Sequence, residues 1–285
     1  FALDSEDELD KLLHETGNAP DLKLWVRLAV KPKAAAMPLD RKYGIGGMAA
    51  ARLLQRTAKV AKTVGVTFHV GSQTMMPDSF ADALEEVQRA FTNAGVTIQH
   101  LDVGGGFPSR YADGNPAPLP AYFAQIEKSL ADLAIPGNPR LMCEPGRALV
   151  AEAESLIVKV DARRGNELFI NDGGYGILFD SAHMGWAYPM RMISADGRSQ
   201  ADDVELSSYS LWGPTCDTID FMEGPFALPS HIKEGDYIEV GMTGAYGRAI
   251  ASRFNGYGDY EEAILTDEPM FSMFPPTSAA AQERN

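Results

Sequence analysis

VTIQHLDVGGGFP, residues 96–108, is an apolar run that ends in three consecutive glycines. β-Branched and other apolar residues are typical of strands, and glycines directly after them indicate a turn, so a strand is predicted over 96–106. Apolar residues at helical spacing predict a helix before it, over 78–93, and another after it, over 119–134. The stretch therefore predicts one strand of an alternation between helices and strands.

The same alternation continues on both sides of this stretch. The residue patterns predict further helices over 5–16 and 47–63 and short apolar strands over 22–30, 66–72 and 140–146. The first helix has a clear start, because Ser5 followed three residues later by Glu8 resembles a capping box. Nearly continuous apolar strands between helices are typical of a parallel sheet that helices cover. We therefore predict an α/β region over residues 1–150.

After about residue 150 the pattern changes to short strands without helices between them. The strand-like runs are SLIVKVDAR (155–163), ELFINDGGYG (167–176), YPMRMIS (188–194), SYSLWGP (208–214) and DYIEVGM (236–242). Short strands separated by turn residues are typical of an antiparallel β-sandwich or barrel. We therefore predict an all-β domain over 151–275, followed by a loose tail over 276–285.

The composition excludes several classes of protein. The 285 residues include 25 Lys and Arg against 39 Asp and Glu, a net charge of −14, which argues against a nucleic-acid partner. No apolar run approaches the ~18–20 residues that a membrane-spanning helix needs, so we expect no membrane association. Cys143 and Cys216 are too few for a disulfide framework, and this predicts a cytoplasmic protein.

Candidate binding residues follow successive strands of the α/β region, and ligands of parallel sheets bind at the carboxyl ends of the strands. The second, third and fourth strands are followed by His69 and Ser72, by Gly104, Gly105 and Gly106, and by Glu144 and Arg147. Backbone N–H groups, a hydroxyl and a guanidinium suit a phosphate. Taken singly, a glycine run is more often a tight turn and His69 more often structural. Their occurrence on neighbouring strand ends favours a site.

Other kinds of chemistry have little support in the sequence. No two of the five histidines stand at metal-ligand spacing, and the two cysteines are far apart, so no metal site is predicted. No GxSxG motif of a serine hydrolase is present. Cys216 stands in GPTCDTID (213–220), where a buried turn residue and a reactive thiol are both possible interpretations.

Seven motifs, taken together, resemble one family. They are FHVGSQ (68–73), LDVGGGFP (101–108), CEPGRALV (143–150), INDGGYG (170–176), GPTCDTID (213–220), GAYG (244–247) and FNGY (254–257). The chain resembles the pyridoxal-phosphate-dependent amino acid decarboxylases with an alanine-racemase-like barrel, which include ornithine, lysine and diaminopimelate decarboxylases. FALDSEDEL and RKYGIGG extend the resemblance to nearly the whole chain. It implies the C-terminal half of a (β/α)8 barrel followed by the β domain.

The resemblance implies pyridoxal 5′-phosphate as the cofactor and assigns residues to it. The cofactor phosphate would be held by Ser72, Gly104, Gly105, Gly106, Arg147 and Tyr246. Glu144 would pair with the pyridinium nitrogen and keep it protonated. His69 would stack on the ring face, and Arg27, at the end of the first apolar strand, would reach the side of the ring hydroxyl.

The resemblance also implies the reaction, α-decarboxylation of an amino acid. Cys216 and His69 would be the catalytic residues, with Cys216 returning a proton to the α-carbon as general acid. Asp180 and Asp217 would bind the distal ammonium group of the substrate. In this family Cys216 and Asp217 come from the second subunit, so the resemblance implies an obligate homodimer with active sites at the subunit interface.

The residue after the cysteine bears on the substrate. Diaminopimelate decarboxylases resemble GPxCE at this point, whereas this chain has Cys216–Asp217, the pattern of ornithine and lysine decarboxylases. Ornithine and lysine differ by one methylene, which a pocket discriminates by only ~1–3 kcal/mol. We favour ornithine, giving putrescine for polyamine biosynthesis, with lysine or diaminopimelate as alternatives. Racemases share the barrel but do not need the Cys–Asp pair.

The family's Schiff-base lysine has no match here. It belongs to a motif resembling AVKxN, upstream of all seven motifs. Lys31 in LAVKPKAAA is superficially similar, but it lies too close to FHVGS, and Lys42 matches a different loop. We expect that roughly 100–120 residues carrying the lysine are a separate N-terminal fragment of the same enzyme. The alternative is a non-catalytic, lysine-free homologue that acts as a regulatory or binding protein.

Overall fold

The structure, a computed structural model, describes residues 1–31, 33–133, 135, 137–196 and 204–274. The described chain forms two compact units. The first, called the α/β unit, comprises 1–108 and 116–146, and the second, called the β unit, comprises 109–115 and the residues from 147 onward. The loose tail predicted over 276–285 lies outside the described residues.

Helices and strands alternate in the α/β unit, as the sequence predicts. In chain order the elements are β1 (Ala2–Leu3), α1 (Glu6–Glu15), β2 (Lys23–Arg27), β3 (Ala35–Met37), α2 (Gly47–Val60), β4 (Thr63–Thr67), β5 (Ser72–Thr74), α3 (Asp78–Ala94), β6 (His100–Asp102), α4 (Leu119–Leu133) and β7 (Arg140–Met142). The strands β1, β2, β4, β6 and β7 form one sheet in that order, and every neighbouring pair is parallel. The short strands β3 and β5 pair with each other antiparallel.

Apolar residues of the strands and helices form the core of this unit. Leu24, Val26, Val66 and Leu101 in the strands are fully buried, and so is Leu84 of α3. Burying one such side chain stabilises the fold by about 1.5–3 kcal/mol. The first helix starts as predicted, because the Oγ of Ser5 accepts a hydrogen bond from the Glu8 N–H at 3.1 Å.

The strand predicted over 66–72 is wrong in its position, since β4 ends at Thr67. Gly65 at its centre weakens the sequence signal, yet a Cβ at this position would lie 2.4 Å from the indole nitrogen of Trp25 on β2. The glycine is therefore required by a side chain of the neighbouring strand. The shift places Phe68–Gly71 after the strand, and residues 72–74 form β5.

In the β unit, the residues that the structure describes form one sheet of six strands with short helices between them. Its elements are α5 (Arg147–Val150), β8 (Leu156–Arg164), β9 (Glu167–Ile170), α6 (Phe179–Met184), β10 (Met190–Ile193), β11 (Leu206–Trp212), β12 (Phe221–Pro229), β13 (Tyr237–Val240) and α7 (Gly247–Ile250), with single 3₁₀ turns at Ala151–Ala153 and Phe254–Gly256. The sheet order is β10-β13-β8-β9-β11-β12. The pairing is antiparallel as predicted, except that β9 and β11 are parallel.

Four elements of the β unit were not predicted, the strand β12 and the short helices α5, α6 and α7, so the prediction of strands without helices between them is wrong. The strand β12 contains Gly224 and Pro225, which indicate a turn, but its partner β11 shifts register between Tyr209 and Leu211 and so accommodates them. The helix α6 is only six residues long and ends at Gly185, which has a positive φ of 69°. No helix in the described ranges is both long and apolar enough to cross a bilayer.

Candidate active site

The carboxyl ends of four parallel strands lie level with one another in the α/β unit. The register pairs Arg27 with Thr67, Thr67 with Asp102, and Asp102 with Met142. Hydrogen bonds continue beyond the strands, from the Leu28 N–H to Thr67 O at 2.8 Å and from the Val103 N–H to Met142 O at 2.9 Å. The residues that follow these strands, His69, Gly104 and Glu144 among them, therefore lie along one edge of the sheet.

The loop Gly104–Gly106 is held by neighbouring backbone on both sides. The N–H of Gly104 donates to Asp102 Oδ1 at 2.9 Å, the N–H of Glu144 donates to Gly104 O at 2.8 Å, and the N–H of Thr74 donates to Gly106 O at 2.9 Å. Gly104 and Gly106 have positive φ angles of 67° and 98°. A Cβ on Gly104 would lie 1.9 Å from Phe68 O, so no other residue fits there.

His69 is held as a neutral ring against this loop. Its Nδ1 accepts a hydrogen bond from the Gly71 N–H at 3.0 Å, so in the neutral ring Nε2 carries the hydrogen. Burial, with the nearby positive charge of Arg27, lowers the pKa of His69 to about 4. A Cβ on Gly105 would lie 3.0 Å from Nε2, which places the ring beside the glycine loop. A neutral ring suits stacking on an aromatic ligand better than it suits donating a proton.

Two carboxyl groups lie together at the same edge. Burial and the charge of Asp102 raise the pKa of Glu144, while Arg27 opposes the shift. Burial also raises the pKa of Asp102, which is only 6% exposed. Sequence reasoning missed Asp102, because a polar residue at the end of a strand gives no signal of what it contacts. A more basic Glu144 carboxylate makes a stronger hydrogen bond to a protonated ring nitrogen.

In the β unit, Arg147 is enclosed by aromatic and acidic side chains at the start of α5. Its side chain is 5% exposed. Nη1 donates to the Tyr111 hydroxyl at 2.8 Å, and Nη2 donates to Asp180 Oδ2 at 3.4 Å. The guanidinium carbon lies 3.9 Å from the ring centroid of Trp186 and 5.0 Å from that of Tyr246. We call these residues the Arg147 box.

The Arg147 box fits an anionic group. The buried Nε–H of Arg147 has no hydrogen-bond partner among the residues that the structure describes, and an unpaired buried donor is costly unless a ligand accepts from it. A phosphate ester is a suitable acceptor for a guanidinium. Asp180 lies here, on Arg147, and burial raises the pKa of its carboxyl although Arg147 opposes the shift. The sequence predicted neither this contact nor the role of Tyr111.

The loop that carries Cys216 is fastened by Asp220, another residue that sequence reasoning missed. Asp220 is 1% exposed. Its Oδ1 accepts from the Gly174 N–H at 2.7 Å, and its Oδ2 accepts from the N–H and the hydroxyl of Thr215 at 3.0 and 2.7 Å. A Cβ on Gly173 or Gly213 would lie 2.1 Å from Oδ1, so the glycines of two motifs make room for one carboxylate.

Cys216 and Asp217 stand at the exposed tip of this loop. Asp217 Oδ2 accepts a hydrogen bond of 2.6 Å from the Tyr175 hydroxyl, and its Oδ1 accepts from the Ile219 N–H at 3.1 Å. Both bonds lower the pKa of Asp217, and the bond between the two side chains raises the pKa of Tyr175 to about 12. The Nδ2 of Asn255 donates to the Cys216 Sγ at 3.6 Å. The INDGGYG, GPTCDTID and FNGY motifs therefore meet around an exposed thiol and an ionised carboxylate.

Ser72 and Lys31 each follow a strand end in sequence, Ser72 five residues after the end of β4. Ser72 belongs to β5, where it is paired with Met37 of β3. Lys31 is exposed and comes four residues after the end of β2. In the part of the chain that the structure describes, no three His, Cys, Asp or Glu side chains are grouped as metal ligands.

The α/β unit matches a known family. Residues 1–151 match the model of the pyridoxal-dependent decarboxylases, in the part described as the pyridoxal binding domain. The chain belongs to this family. The cofactor of the family is pyridoxal 5′-phosphate, and the predicted family, fold class and cofactor are thereby confirmed.

Similar proteins agree with this family. The chain is 30% identical to an ornithine decarboxylase of Schizosaccharomyces pombe over 269 residues, which cover 88% of this chain and 59% of that protein. It is 29% identical to a lysine/ornithine decarboxylase of Selenomonas ruminantium over 280 residues, 95% of this chain and 68% of the relative. The chain thus spans about three fifths to two thirds of the length of these relatives.

Solved structures show the same fold. An arginine decarboxylase of Paramecium bursaria Chlorella virus bound to agmatine aligns with a TM-score of 0.76 at 27% identity, over 91% of this chain and 70% of the other. A Vibrio vulnificus lysine/ornithine decarboxylase complexed with cadaverine aligns with a TM-score of 0.74 at 26% identity, over 94% and 70%. A Helicobacter pylori diaminopimelate decarboxylase, 23% identical, shares the fold.

Proposed function

We propose that this chain is part of a pyridoxal-phosphate-dependent decarboxylase of basic L-amino acids, with ornithine as the preferred substrate and putrescine as the product. The observation that carries the proposal is the tip of the Cys216 loop. There a thiol and an ionised carboxylate, Asp217, stand side by side and are positioned by Tyr175 and Asp220. Lysine is the second candidate, because one similar protein is named a lysine/ornithine decarboxylase.

The cofactor would be held by the residues that the family resemblance assigns to it. In the α/β unit, Ser72 and the glycine loop would hold the phosphate, Glu144 would bond the ring nitrogen, and neutral His69 would cover the ring face. In the β unit, Arg147 would offer its unpaired Nε–H to the phosphate, beside Tyr246. When bound, the cofactor withdraws electrons from the α-carbon of the substrate so that carbon dioxide can leave.

Carboxylates would bind the distal ammonium of the substrate, and a thiol would protonate the α-carbon after carbon dioxide has left. Asp217 is ionised at neutral pH, because its hydrogen bonds lower its pKa, and it would pair with a distal ammonium. Asp180 would supply the second carboxylate. The exposed thiol of Cys216 would give a proton to the α-carbon as general acid.

We further propose a cytoplasmic homodimer in which Cys216 and Asp217 act in the site of the partner subunit. The lysine that binds the cofactor would come from a segment that this sequence does not contain. An intact-mass measurement tests the last point: we expect a second polypeptide of roughly a hundred residues to co-purify. A single species that binds the cofactor but releases no carbon dioxide would favour the non-catalytic homologue instead.

Carbon dioxide release tests the substrate. The purified protein with pyridoxal 5′-phosphate should release it faster from ornithine than from lysine, and least from diaminopimelate. In the variant Asp217→Asn the KM for ornithine should rise about tenfold or more, because the ammonium loses a charged partner. Asp161→Asn on the exposed face of β8 is the matched control, and it should leave the KM for ornithine unchanged. A clear preference for diaminopimelate would contradict the proposed role of Asp217.

A further inference from the structure

We propose that Tyr111 is a positioning residue that orients the guanidinium of Arg147 toward the anion it binds. The inference rests on the proposed function, in which that anion is the phosphate of the cofactor. It concerns a residue outside the seven motifs, three positions after the end of the LDVGGGFP motif.

The segment that carries Tyr111 is attached to the β unit and to Arg147 itself. Residues 109–115 belong to the β unit, although they directly follow the LDVGGGFP motif of the α/β unit in sequence. The Ser109 hydroxyl, fully buried, donates to Arg147 O at 3.1 Å, and the Ala112 N–H donates to Ala187 O at 3.1 Å. The segment therefore holds the backbone of Arg147 as well as its side chain.

The contacts of the Arg147 guanidinium with the described residues leave its Nε–H available to a ligand. Nη1 is 2.8 Å from the Tyr111 hydroxyl, whereas Nη2 is 3.4 Å from Asp180, so Tyr111 makes the shorter of the two bonds. The ring of Trp186, 3.9 Å away, covers one face of the guanidinium plane. Both Nη atoms are hydrogen-bonded and one face of the plane is covered, so the orientation of the guanidinium is fixed. Because the group is planar, the direction of the Nε–H is then fixed as well, and this Nε–H has no partner in the described part of the chain.

A tyrosine is suited to this task because it is neutral. Tyr111 is 3% exposed, and burial raises its pKa, so its hydroxyl stays protonated and accepts from Arg147 without cancelling the positive charge. A second carboxylate at this position would compete with an incoming anion. The hydroxyl thus orients the guanidinium and leaves its charge for the ligand.

The variant Tyr111→Phe removes the hydroxyl and keeps the ring, which contacts the rings of Trp186 and Tyr188 at centroid distances of 5.4 and 5.5 Å. Tyr188→Phe is the matched control. Tyr188 is 2% exposed in the same cluster, and its hydroxyl has no hydrogen-bond partner among the described residues. Both variants lose a tyrosine hydroxyl. The hydroxyl of Tyr111 is hydrogen-bonded to Arg147, whereas that of Tyr188 makes no hydrogen bond to a described residue.

Binding of two ligands separates positioning from a merely structural role. Pyridoxamine 5′-phosphate and pyridoxamine differ only in the phosphate, and neither forms a covalent bond to a lysine. For Tyr111→Phe we expect the Kd of pyridoxamine 5′-phosphate to rise about tenfold while that of pyridoxamine is unchanged. For Tyr188→Phe both should match the wild type. Urea unfolding of both variants establishes that each is folded.

The outcomes distinguish this inference from the proposed function. If Tyr111→Phe changes the two Kd values equally, or changes neither, Tyr111 does not position Arg147. The variant Arg147→Lys should abolish most of the preference for the phosphorylated ligand. If that variant keeps the full preference, or if the wild type has none, the proposed role of Arg147 fails and the inference fails with it.

Discussion

At the scale of single residues, buried carboxyl groups in the β unit accept hydrogen bonds from distant segments, which the motifs do not indicate. Asp172 in INDGGYG is 6% exposed, and it accepts hydrogen bonds from the Tyr260 hydroxyl at 2.7 Å and from the Ile177 N–H at 3.0 Å. Burial raises its pKa to about 6, although these donors oppose the shift. The folded protein therefore binds the proton of Asp172 more tightly than the unfolded chain does.

The stability of the protein should consequently depend on pH through Asp172. An acid whose folded pKa is raised contributes stability below its unfolded value, and this contribution is lost as pH rises through the folded value. Relative to Asp172→Asn, the free energy of unfolding of the wild type should fall by about 2 kcal/mol between pH 4 and pH 7. Urea unfolding at several pH values measures it, with Asp161→Asn as an exposed control. A difference that does not vary with pH would contradict the raised pKa.

Cys216 gives the sharpest prediction on chemistry. Replacing it with Ala should lower the rate of diamine formation about a hundredfold and change the product profile, because the proton donor is lost. Cys143→Ala is the control, since the other cysteine has no proposed role in catalysis. Product analysis by mass spectrometry with rate measurements checks both variants. An unchanged rate and product profile in Cys216→Ala would remove the role of Cys216.

At the scale of elements, the glycine loop after β6 shows why some motif positions tolerate no side chain. Gly104→Ala would strain a backbone with φ of 67° and place a Cβ 1.9 Å from Phe68 O. We expect it to lower the free energy of unfolding by about 3 kcal/mol or more. Gly146→Ala is the matched control, because a Cβ there meets nothing within 4 Å. Equal stability of the two variants would contradict this account.

Several elements could be predicted from local pattern and several could not. The spacing of apolar residues predicts helices such as α3 and α4 to within a few residues, because an amphipathic period is a local property. The position of β4 depends on Trp25 of the neighbouring strand, and β12 depends on the register shift of β11. The positions of such strands depend on residues of the neighbouring strands, so they cannot be predicted from the strands' own residues.

At the scale of the whole molecule, the proposed dimer predicts complementation between inactive variants. Cys216→Ala and Glu144→Ala would each inactivate the site to which they belong. After random pairing, half of the dimers contain one chain of each variant. If Cys216 acts in the partner's site, each of these dimers has one intact site. The mixture should then recover about a quarter of the wild-type activity. Each variant mixed with itself is the control, and no recovery would place Cys216 and Glu144 in the site of one chain.

The sequence by itself determined the alternation of the main helices and strands of the α/β unit, the family and its cofactor. These depend on periodicity along the chain and on motif glycines, cysteine and acids, which are visible without coordinates. Only the tertiary structure decided how polar side chains pair: Tyr111 and Asp180 on Arg147, Asp220 beneath the Cys216 loop, and Tyr175 on Asp217. A buried donor must find an acceptor wherever the fold brings one, often from a distant segment, and no local pattern records that choice.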